Sequence, residues 1–472
     1  MSQGKIICTI GPVTATPEKL QELNEAGMDV ARLNGSHADL EWHANIIAMI
    51  KEVLPNTPIL LDIPGRKIRT TLLKVEPTFS DGDTIILTTD TSHDGSKKVP
   101  VNYGDLHRDL SVGHIILADD GTLRFTVIAV DGQDIVCRAD VGGQLKSRKG
   151  INVPHVSLGT QVMTERDHSM IEFAKTHGVD YIGISFVESA DHVAAVREAI
   201  AGSSPRIVSK VENRGGLANV ATIAEVSDAL MIDRGDLSVE TNLEDVTLNQ
   251  KRIIDVARKF GKPVIVATEL LHTMIENRFP TKAEVSDITN AVLDGCAATM
   301  LSGETAIGKH HIDVVRLMRQ VSDTASSYRQ EQMSTARSGQ DVPQAIEDAI
   351  ALICRQLPVD KIIAVTKSGF AAEKIAVREP RQPILAVSNE RETARAMNLL
   401  QGTEGVFVDI PFSRTSTDHL MACLELLWRE DRIVNDEMIL ITAVGYPRSG
   451  NRMNLIQTHV VGDLVQTLDW KR

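Results

Sequence analysis

Two carboxylates and a lysine stand at the ends of two consecutive apolar runs in the middle of the chain. Lys210 and Glu212 close the run at residues 206–212, and Asp236 follows the run at 229–233. Short apolar runs bounded by polar or turn residues are typical of buried strands in a parallel sheet, whose carboxyl ends share one edge. Two neighbouring carboxylates with a lysine suit a hard divalent cation that bridges to a phosphate. The alternative is a pair of solvated loop acids.

These residues need a sheet to hold them, and most of the chain alternates strand-like with helix-like segments. The alternation is interrupted after residue 63 and resumes at a predicted helix, so that both parts together give eight strands and eight helices. That number predicts a closed (β/α)₈ TIM barrel, with an open doubly wound sheet as the alternative. The strands are predicted at residues 5–10, 29–34, 58–63, 181–186, 206–212, 229–233, 263–268 and 298–301. The helices after the interruption are predicted at about 164–177, 190–201, 215–226, 246–260, 282–293 and 310–327.

The segments outside this alternation predict two further domains. Residues 67–156 contain only strand-length runs with turn signals, which favours an inserted small β-barrel lid domain. The catalytic barrel then occupies residues 1–66 and 157–330. Residues 329–343 are polar and aperiodic and are interpreted as a linker, and residues 343–472 are predicted to form a C-terminal α/β regulatory domain.

Composition excludes several classes of function. The 472 residues carry a net charge of −13, which argues against nonspecific binding to nucleic acid but allows an anionic substrate at a locally basic site. No run of apolar residues is long enough for a membrane span, and we expect no signal peptide. The five cysteines are scattered and never form a CxxC pair, so a cytoplasmic protein without disulfides or structural zinc is predicted.

Polar side chains follow almost every predicted barrel strand and would converge on one rim. They combine a metal-binding pair, a lysine and an arginine for phosphoryl oxygens, and hydroxyl groups for orientation, which are the requirements of phosphoryl transfer. Gly235 would let backbone N–H groups approach a substrate carboxylate. The rim residues are Arg32, Asn34, Ser36, His37, Asp62, Ser185, Lys210, Glu212, Asp236, Thr268, Glu269, Ser302 and Glu304.

Several longer motifs resemble those of the pyruvate kinase family. They occur in the family's order over the whole barrel, with a weaker match in the C-terminal domain, and such a series is far more specific than a single glycine pattern. The motifs are CTIGP at 8–12, ARLNGSH at 31–37, SKVEN at 209–213, RGDL at 234–237, PTKAEVSD at 280–287, NAVLDG at 290–295 and MLSGETA at 300–306.

The resemblance implies a role for each matching residue. Glu212 and Asp236 would hold Mg²⁺ or Mn²⁺, while Lys210 and Arg32 would act on the transferring phosphoryl group. Thr268 would lie near the carbon that is protonated, and Gly235 and Asp236 would help to bind the substrate. Asn34, Ser36 and Asp62 match the family's monovalent-cation shell, and Asn34, His37, Arg69 and Lys149 match its nucleotide side.

Some positions depart from the family pattern. Ile63 stands where threonine is usual, and Lys67 stands where glutamate is usual. We predict that the Lys67 ammonium takes the role of the monovalent cation, so that K⁺ is not required; the alternative is a solvated loop lysine. Asp233 replaces a common alanine and Glu269 a common glutamine. We expect such an extra carboxylate to pair with a neighbouring base; the alternative is that it repels phosphate.

The loop Thr366-Lys367-Ser368-Gly369 lies between a predicted strand and a predicted helix of the C-terminal domain. Backbone donors, hydroxyl groups and one cation form a phosphate cradle there. In the family this loop binds the phosphate of an allosteric activator, so a sugar-phosphate or nucleotide effector is implied. A plain helix cap is the alternative.

The resemblance implies transfer of the phosphoryl group of phosphoenolpyruvate to ADP, giving pyruvate and ATP, by a homotetramer. Two other classes stay open. A metal-dependent lyase or aldolase acting on a keto acid does not explain the inserted domain. A regulatory or binding protein would be expected to lose Lys210, Glu212, Asp236 or Thr268, and all four are present.

Overall fold

The computed structural model describes residues 4–65, 67–119, 121–154, 156, 163–202, 204–332, 342–413, 416–443 and 453–471. Before the insertion the chain forms β1 (Lys5–Thr9), α1 (Pro17–Ala26), β2 (Val30–Asn34), α2 (Leu40–Val53) and β3 (Ile59–Ile63). The insertion contains β4 (Ile68–Arg69), β5 (Thr78–Phe79), β6 (Thr84–Thr88), β7 (Val99–Pro100), α3 (Leu106–Asp109), β8 (Ile115–Ala118), β9 (Leu123–Asp131), β10 (Asp134–Val141), β11 (Gly143–Gln144) and β12 (Gly150–Asn152).

The barrel continues after the insertion. Its remaining elements are α4 (Glu165–Thr176), β13 (Tyr181–Ile184), α5 (Ala190–Ile200), β14 (Arg206–Val211), α6 (Arg214–Ala218), α7 (Val220–Val226), β15 (Ala229–Asp233), α8 (Arg234–Glu240), α9 (Val246–Lys259), β16 (Val264–Ala267), α10 (Lys282–Asp294), β17 (Ala298–Leu301), α11 (Gly303–Ala306) and α12 (His311–Gln332). The C-terminal domain contains α13 (Val342–Gln356), β18 (Lys361–Val365), α14 (Phe370–Ala376), β19 (Ile384–Ser388), α15 (Arg391–Ala396), β20 (Thr403–Phe407), α16 (Asp418–Arg429), β21 (Met438–Ala443), β22 (Leu455–Val460) and α17 (Val461–Thr467).

Eight parallel strands close into a barrel in the order β1-β17-β16-β15-β14-β13-β3-β2, which confirms the predicted TIM barrel. Alternate side chains of each strand point into the barrel and outward beneath the helices, so the strands are buried on both faces. Leu60, for example, belongs to the barrel interior, whereas Ile59 and Leu61 pack in the layer beneath the helices. All eight carboxyl ends therefore meet at one rim.

Local signals set several helix ends. The Thr16 hydroxyl accepts a hydrogen bond from the Lys19 backbone N–H, and Gly27 ends α1 with a φ of +119°. One prediction was wrong: residues 215–226 form two helices instead of one. Asn219 lies between them outside helical geometry, and its side-chain amide donates to the Glu188 carbonyl at 2.8 Å.

The insertion is rich in strands, as predicted, but it also contains the short helix α3. Its main sheet has seven strands, and one isolated bridge between Thr70 and Val101 joins the two edges. The small barrel is therefore closed by a single bridge.

The C-terminal domain is a five-stranded sheet in the order β20-β19-β18-β21-β22, parallel except for β22. The linker is shorter than predicted, because α12 extends to Gln332 and α13 begins at Val342. The intervening part of the predicted linker, residues 333–341, lies outside the described residues. None of the helices described has the length and apolar character that a membrane crossing requires.

Candidate active site

Three carboxylates meet at the carboxyl ends of β14 and β15. Glu212 directly follows β14, Asp233 ends β15 and Asp236 lies in the first turn of α8. All three are buried, and one oxygen from each lies within 4.8 Å of the others. The predicted closeness of Glu212 and Asp236 is correct, and Asp233 is a third member. Carboxylate oxygens are the donors that a hard divalent cation prefers, so the residues present fit such an ion.

Lys210 lies among these carboxylates. Its Nζ is 2.6 Å from Glu212 Oε1, 3.1 Å from Asp233 Oδ2 and 3.7 Å from Asp62 Oδ2. Burial alone would lower the pKa of Lys210, but the three carboxylates raise it above its ordinary range. The side chain is therefore a permanent buried cation.

The pKa values of Glu212 and Asp233 shift in opposite directions. Burial, reinforced by Asp233 and Asp236, raises the pKa of Glu212 to about 8, and Lys210 only partly opposes this. Burial would also raise the pKa of Asp233, but Lys210 and Lys67 hold it at about 2. Asp233 is consequently the most acidic carboxyl group of the cluster, as expected for an acid near two ammonium groups.

Lys67 enters the cluster from the start of the insertion. Its Nζ lies 2.5 and 2.7 Å from the two oxygens of Asp236 and 5.6 Å from the ring centre of Phe186. The side chain is only 14% exposed, so the alternative of a solvated loop lysine is wrong. Its ion pair is with a predicted divalent ligand instead of with the Asp62 carboxylate of the predicted monovalent shell.

Arg32 and Asp62 form the opposite side of the site, on β2 and β3. Arg32 donates to Asp62 Oδ2 from Nε at 3.1 Å and from Nη2 at 2.7 Å, and to the Thr9 hydroxyl at 3.0 Å. Asn34 lies opposite Asp62 in the register and accepts from the Ser36 backbone N–H at 3.1 Å. Asp62 Oδ1 is buried without a hydrogen-bond partner among the described residues, and such an atom is a free acceptor for a cation.

Thr268 and Glu269 follow β16 with φ angles of +67° and +58°, a region that a β-branched residue rarely adopts. The conformation is held from two sides. The Thr268 hydroxyl accepts from the Gly235 backbone N–H at 2.9 Å, and the Thr268 carbonyl accepts from Arg234 at 2.8 Å. Among the described residues Glu269 forms no ion pair, whereas Asp233 does pair with a base as expected.

The nucleotide-side residues are divided between the barrel and the insertion. The pKa of His37 lies below its ordinary value. Burial is the main cause, and the charge of the Arg69 guanidinium is the next. Arg69 donates to the Arg148 carbonyl at 3.0 Å. Lys149 pairs with Asp119 at 2.6 Å within the insertion.

A second link between insertion and barrel was missed in the sequence. The Asn152 amide donates to Glu240 Oε1 at 2.7 Å, and burial raises the pKa of Glu240 to about 7. Asp236 and Glu240 are four residues apart on α8 and therefore share one helix face. The four-residue spacing of the two acids is the sequence signal that indicates a shared face. This face of α8 contacts both ends of the insertion, through Lys67 and through Asn152.

In the C-terminal domain the loop Thr366–Gly369 borders a cavity of about 1110 Å³ between this domain and the barrel. Gly369 has a φ of +92° and donates its N–H to the Thr366 hydroxyl at 3.0 Å. Arg206, from the start of β14, donates to the Ser368 carbonyl at 2.8 Å. Lys367 is 3.4 Å from Glu390, and Arg391 stacks at 3.9 Å on the ring of Phe407.

Comparisons with known proteins agree with this architecture. The family model for the pyruvate kinase barrel domain matches residues 1–315, and the model for the pyruvate kinase alpha/beta domain matches residues 344–459. The chain is 38% identical to a pyruvate kinase of Bacillus licheniformis and 37% identical to one of Geobacillus stearothermophilus, in each case over 98% of this chain and 81% of the relative. It is 35% identical to a pyruvate kinase of Mycobacterium intracellulare, over 98% of this chain and 99% of the relative. The chain therefore belongs to the pyruvate kinase family.

Proposed function

We propose that this protein transfers the phosphoryl group of phosphoenolpyruvate to ADP, giving pyruvate and ATP in glycolysis. The observation that carries the proposal is the cluster of Lys210 with Glu212, Asp233 and Asp236 at the carboxyl rim of the barrel. Family membership supplies the reaction, and the cluster supplies a buried cation beside a set of carboxylate oxygen donors.

Lys210 and Arg32 act on the phosphoryl oxygens. Lys210 stays protonated because its carboxylate neighbours raise its pKa, so its charge is available throughout the reaction. Arg32 is held by two hydrogen bonds to Asp62 and thereby presents a fixed guanidinium. Fixed positive charges near a transferring phosphoryl group stabilise the charge that it develops without reorganisation.

The substrate carboxylate binds at the backbone N–H groups around Gly235 and Asp236, at the start of α8. Thr268 lies beside the carbon that is protonated after the phosphoryl group leaves. The Gly235–Thr268 hydrogen bond joins these two functions in one structural unit.

Glu212 and Asp236 would hold Mg²⁺ or Mn²⁺. When bound, the ion neutralises phosphoryl charge and orients the substrate. The residues themselves keep carboxylate oxygens gathered in a buried site, and Lys67 would have to share Asp236 with the ion.

Potassium is not required in this proposal, because the chain supplies its own ammonium at Lys67. A tertiary contact already holds that charge inside the site, 2.5 Å from Asp236. Asn34, Ser36 and Asp62 form the corresponding polar shell on the β2–β3 side. Turnover should therefore be the same in sodium- and potassium-free buffer as in buffer with added K⁺, and strong stimulation by K⁺ would contradict the proposal.

Nucleotide binding uses Asn34 and His37 in the barrel and Arg69 and Lys149 in the insertion. Lys149 reaches the nucleotide phosphates when the insertion closes, which requires it to leave Asp119. An effector that carries a phosphate, either a sugar phosphate or a nucleotide, binds at Thr366, Lys367, Ser368 and Gly369, where the loop borders the large cavity. A homotetramer in the cytoplasm completes the proposal.

The decisive experiment is a coupled assay of purified protein with phosphoenolpyruvate, ADP and Mg²⁺. ATP formation is expected, and Lys210→Met should abolish it while circular dichroism and the melting temperature show a folded chain. Lys175→Met, at an exposed ion pair with Glu172, is the matched control. An active Lys210→Met variant, or wild-type protein that forms no ATP, would refute the proposal.

A further inference from the structure

One carboxylate, that of Asp233, contacts two of the residues assigned to the reaction. Asp233 Oδ2 is 3.1 Å from Lys210 Nζ, and the Thr268 hydroxyl lies 3.2 Å from Asp233 Oδ1. The three residues come from the ends of the neighbouring strands β14, β15 and β16. Asp233 lies directly opposite Ala267 in the register, one residue before Thr268, so the geometry of the barrel itself sets the contact.

We propose that Asp233 is a positioning residue that fixes Lys210, which acts on the phosphoryl group, relative to Thr268, which lies beside the protonated carbon. This inference rests on the proposed function. It gives a role to a buried carboxylate that the proposed reaction leaves without one.

The contacts favour positioning over metal binding. Each oxygen of Asp233 already has a partner that belongs to the site, Lys210 for one oxygen and Thr268 for the other. The carboxylate is buried, so both partners are held by one rigid, dehydrated group. Asp236, in contrast, directs both of its oxygens to the single residue Lys67 and so connects no two residues that act on the substrate.

Lys67 explains how the site accommodates this additional negative charge. A buried carboxylate is costly unless positive charge compensates for it. Lys210 supplies one such charge at 3.1 Å from Asp233 Oδ2, and Lys67 supplies a second one beside the neighbouring carboxylate of Asp236. Asp233 adds a negative charge to the site and Lys67 adds a positive one. We therefore expect substitutions of the two residues to have coupled effects on kcat.

Two substitutions test the role. Asp233→Asn keeps the size and an oxygen for Thr268 but removes the charge beside Lys210, and Asp233→Ala removes both contacts. We expect Asp233→Ala to lower kcat about 100-fold, the effect of a misplaced reacting group, with KM for phosphoenolpyruvate changed less than about threefold. Asp233→Asn should lower kcat less, and Asp233→Ala should slow the exchange of pyruvate methyl protons with solvent, followed by NMR.

Two further measurements separate positioning from other roles. Mn²⁺ binding to the free protein, followed by electron paramagnetic resonance, should change little in Asp233→Ala and weaken strongly in Glu212→Gln. In the double variant Asp233→Ala with Lys67→Gln, the loss of kcat should be smaller than the product of the single losses, because the two charges compensate. Asp29→Asn is the matched control and should keep the wild-type kcat. Like Asp233, Asp29 forms an ion pair with a lysine, but Asp29 and its partners Lys5 and Arg319 lie at the opposite end of the barrel.

The outcomes distinguish this inference from the proposed function. Wild-type protein that forms no ATP would refute the function itself. Active wild-type protein together with unchanged kcat and proton exchange in both Asp233 variants would refute the positioning role. A loss of Mn²⁺ affinity in Asp233→Ala equal to that in Glu212→Gln would also overturn it, because Asp233 would then be a metal ligand.

Discussion

The barrel rim and the C-terminal cavity both combine lysines with carboxylates, yet they differ in how the charges are held. At the rim Lys210 is 6% exposed and lies within 4 Å of three carboxylates. At the cavity the Lys367 side chain is 57% exposed and lies 3.4 Å from one carboxylate. Buried charges interact strongly because water does not screen them, whereas exposed pairs contribute little. Substitutions at the rim should therefore have large effects and those at the cavity small ones.

The largest effect is expected for Glu212→Gln. The substitution removes a buried carboxylate that contacts Lys210 and belongs to the metal-binding set, so kcat should fall at least about 1000-fold in the coupled assay. Glu22→Gln, at a surface ion pair with Lys19, is the control and should keep wild-type turnover. A Glu212→Gln variant with more than a tenth of wild-type kcat would remove the contrast between the two regions.

A smaller but distinctive effect is expected for Lys67→Glu. Reversing the charge beside Asp236 removes the internal ammonium, so turnover should become stimulated about tenfold or more by added K⁺. Titration of activity with KCl against NaCl measures the effect, with the exposed Lys97→Glu as control. Equal activity in both salts would show that Lys67 does not replace the cation.

The next effect concerns stability and pH at the contact of the insertion with α8. Burial raises the pKa of Glu240 from 4.5 to about 7 in the folded protein. The folded state therefore holds more protons than the unfolded state between these values, so the free energy of unfolding falls as pH rises through that window. The contribution of Glu240 to this fall should be roughly 1–3 kcal/mol, and Glu240→Gln should make the slope shallower by that amount.

Urea denaturation at several pH values between 5 and 7.5 measures this slope. Glu172→Gln, at an exposed ion pair, should keep the wild-type slope. The same slope in Glu240→Gln as in wild type would place the pH dependence elsewhere in the molecule.

The smallest effect is expected at the cavity. Lys367→Ala removes an exposed cation from the phosphate-binding loop, so any shift that a sugar monophosphate causes in KM for phosphoenolpyruvate should weaken by about fivefold at most. Lys361→Ala, on the far side of the same domain beside Glu437, is the control. A fall of kcat in Lys367→Ala as large as that in Glu212→Gln would contradict the contrast between the barrel rim and the cavity.

The sequence predicted the barrel and most of the rim because both follow from regular spacing. Eight apolar runs define eight strands, and the residue after each run must lie at the rim, as Glu212 and Thr268 do. The split of residues 215–226 was not predictable in this way, since it depends on a bond from Asn219 to the carbonyl of Glu188, a residue distant in sequence.

The position of Lys67 shows the limit of sequence reasoning within the site. Its replacement of glutamate indicated an internal cation, but a long side chain can reach several partners from one backbone position. Only the tertiary structure shows that the ammonium selects Asp236. For Asp233, the sequence indicated an additional acid that pairs with a base. It did not indicate the contact with Thr268, because that residue follows a different strand.

Both chain crossings between barrel and insertion are fastened to one face of the seven-residue helix α8, Lys67 through Asp236 and Asn152 through Glu240. These two bonds hold the insertion against α8 at points four residues of helix, or about 6 Å, apart beside the carboxylate cluster. Rotation about the line that joins the two points stretches neither bond. A movement of the insertion that separates Lys67 from Asp236, or Asn152 from Glu240, requires that bond to break, so a pair of side chains constrains the insertion in addition to the backbone.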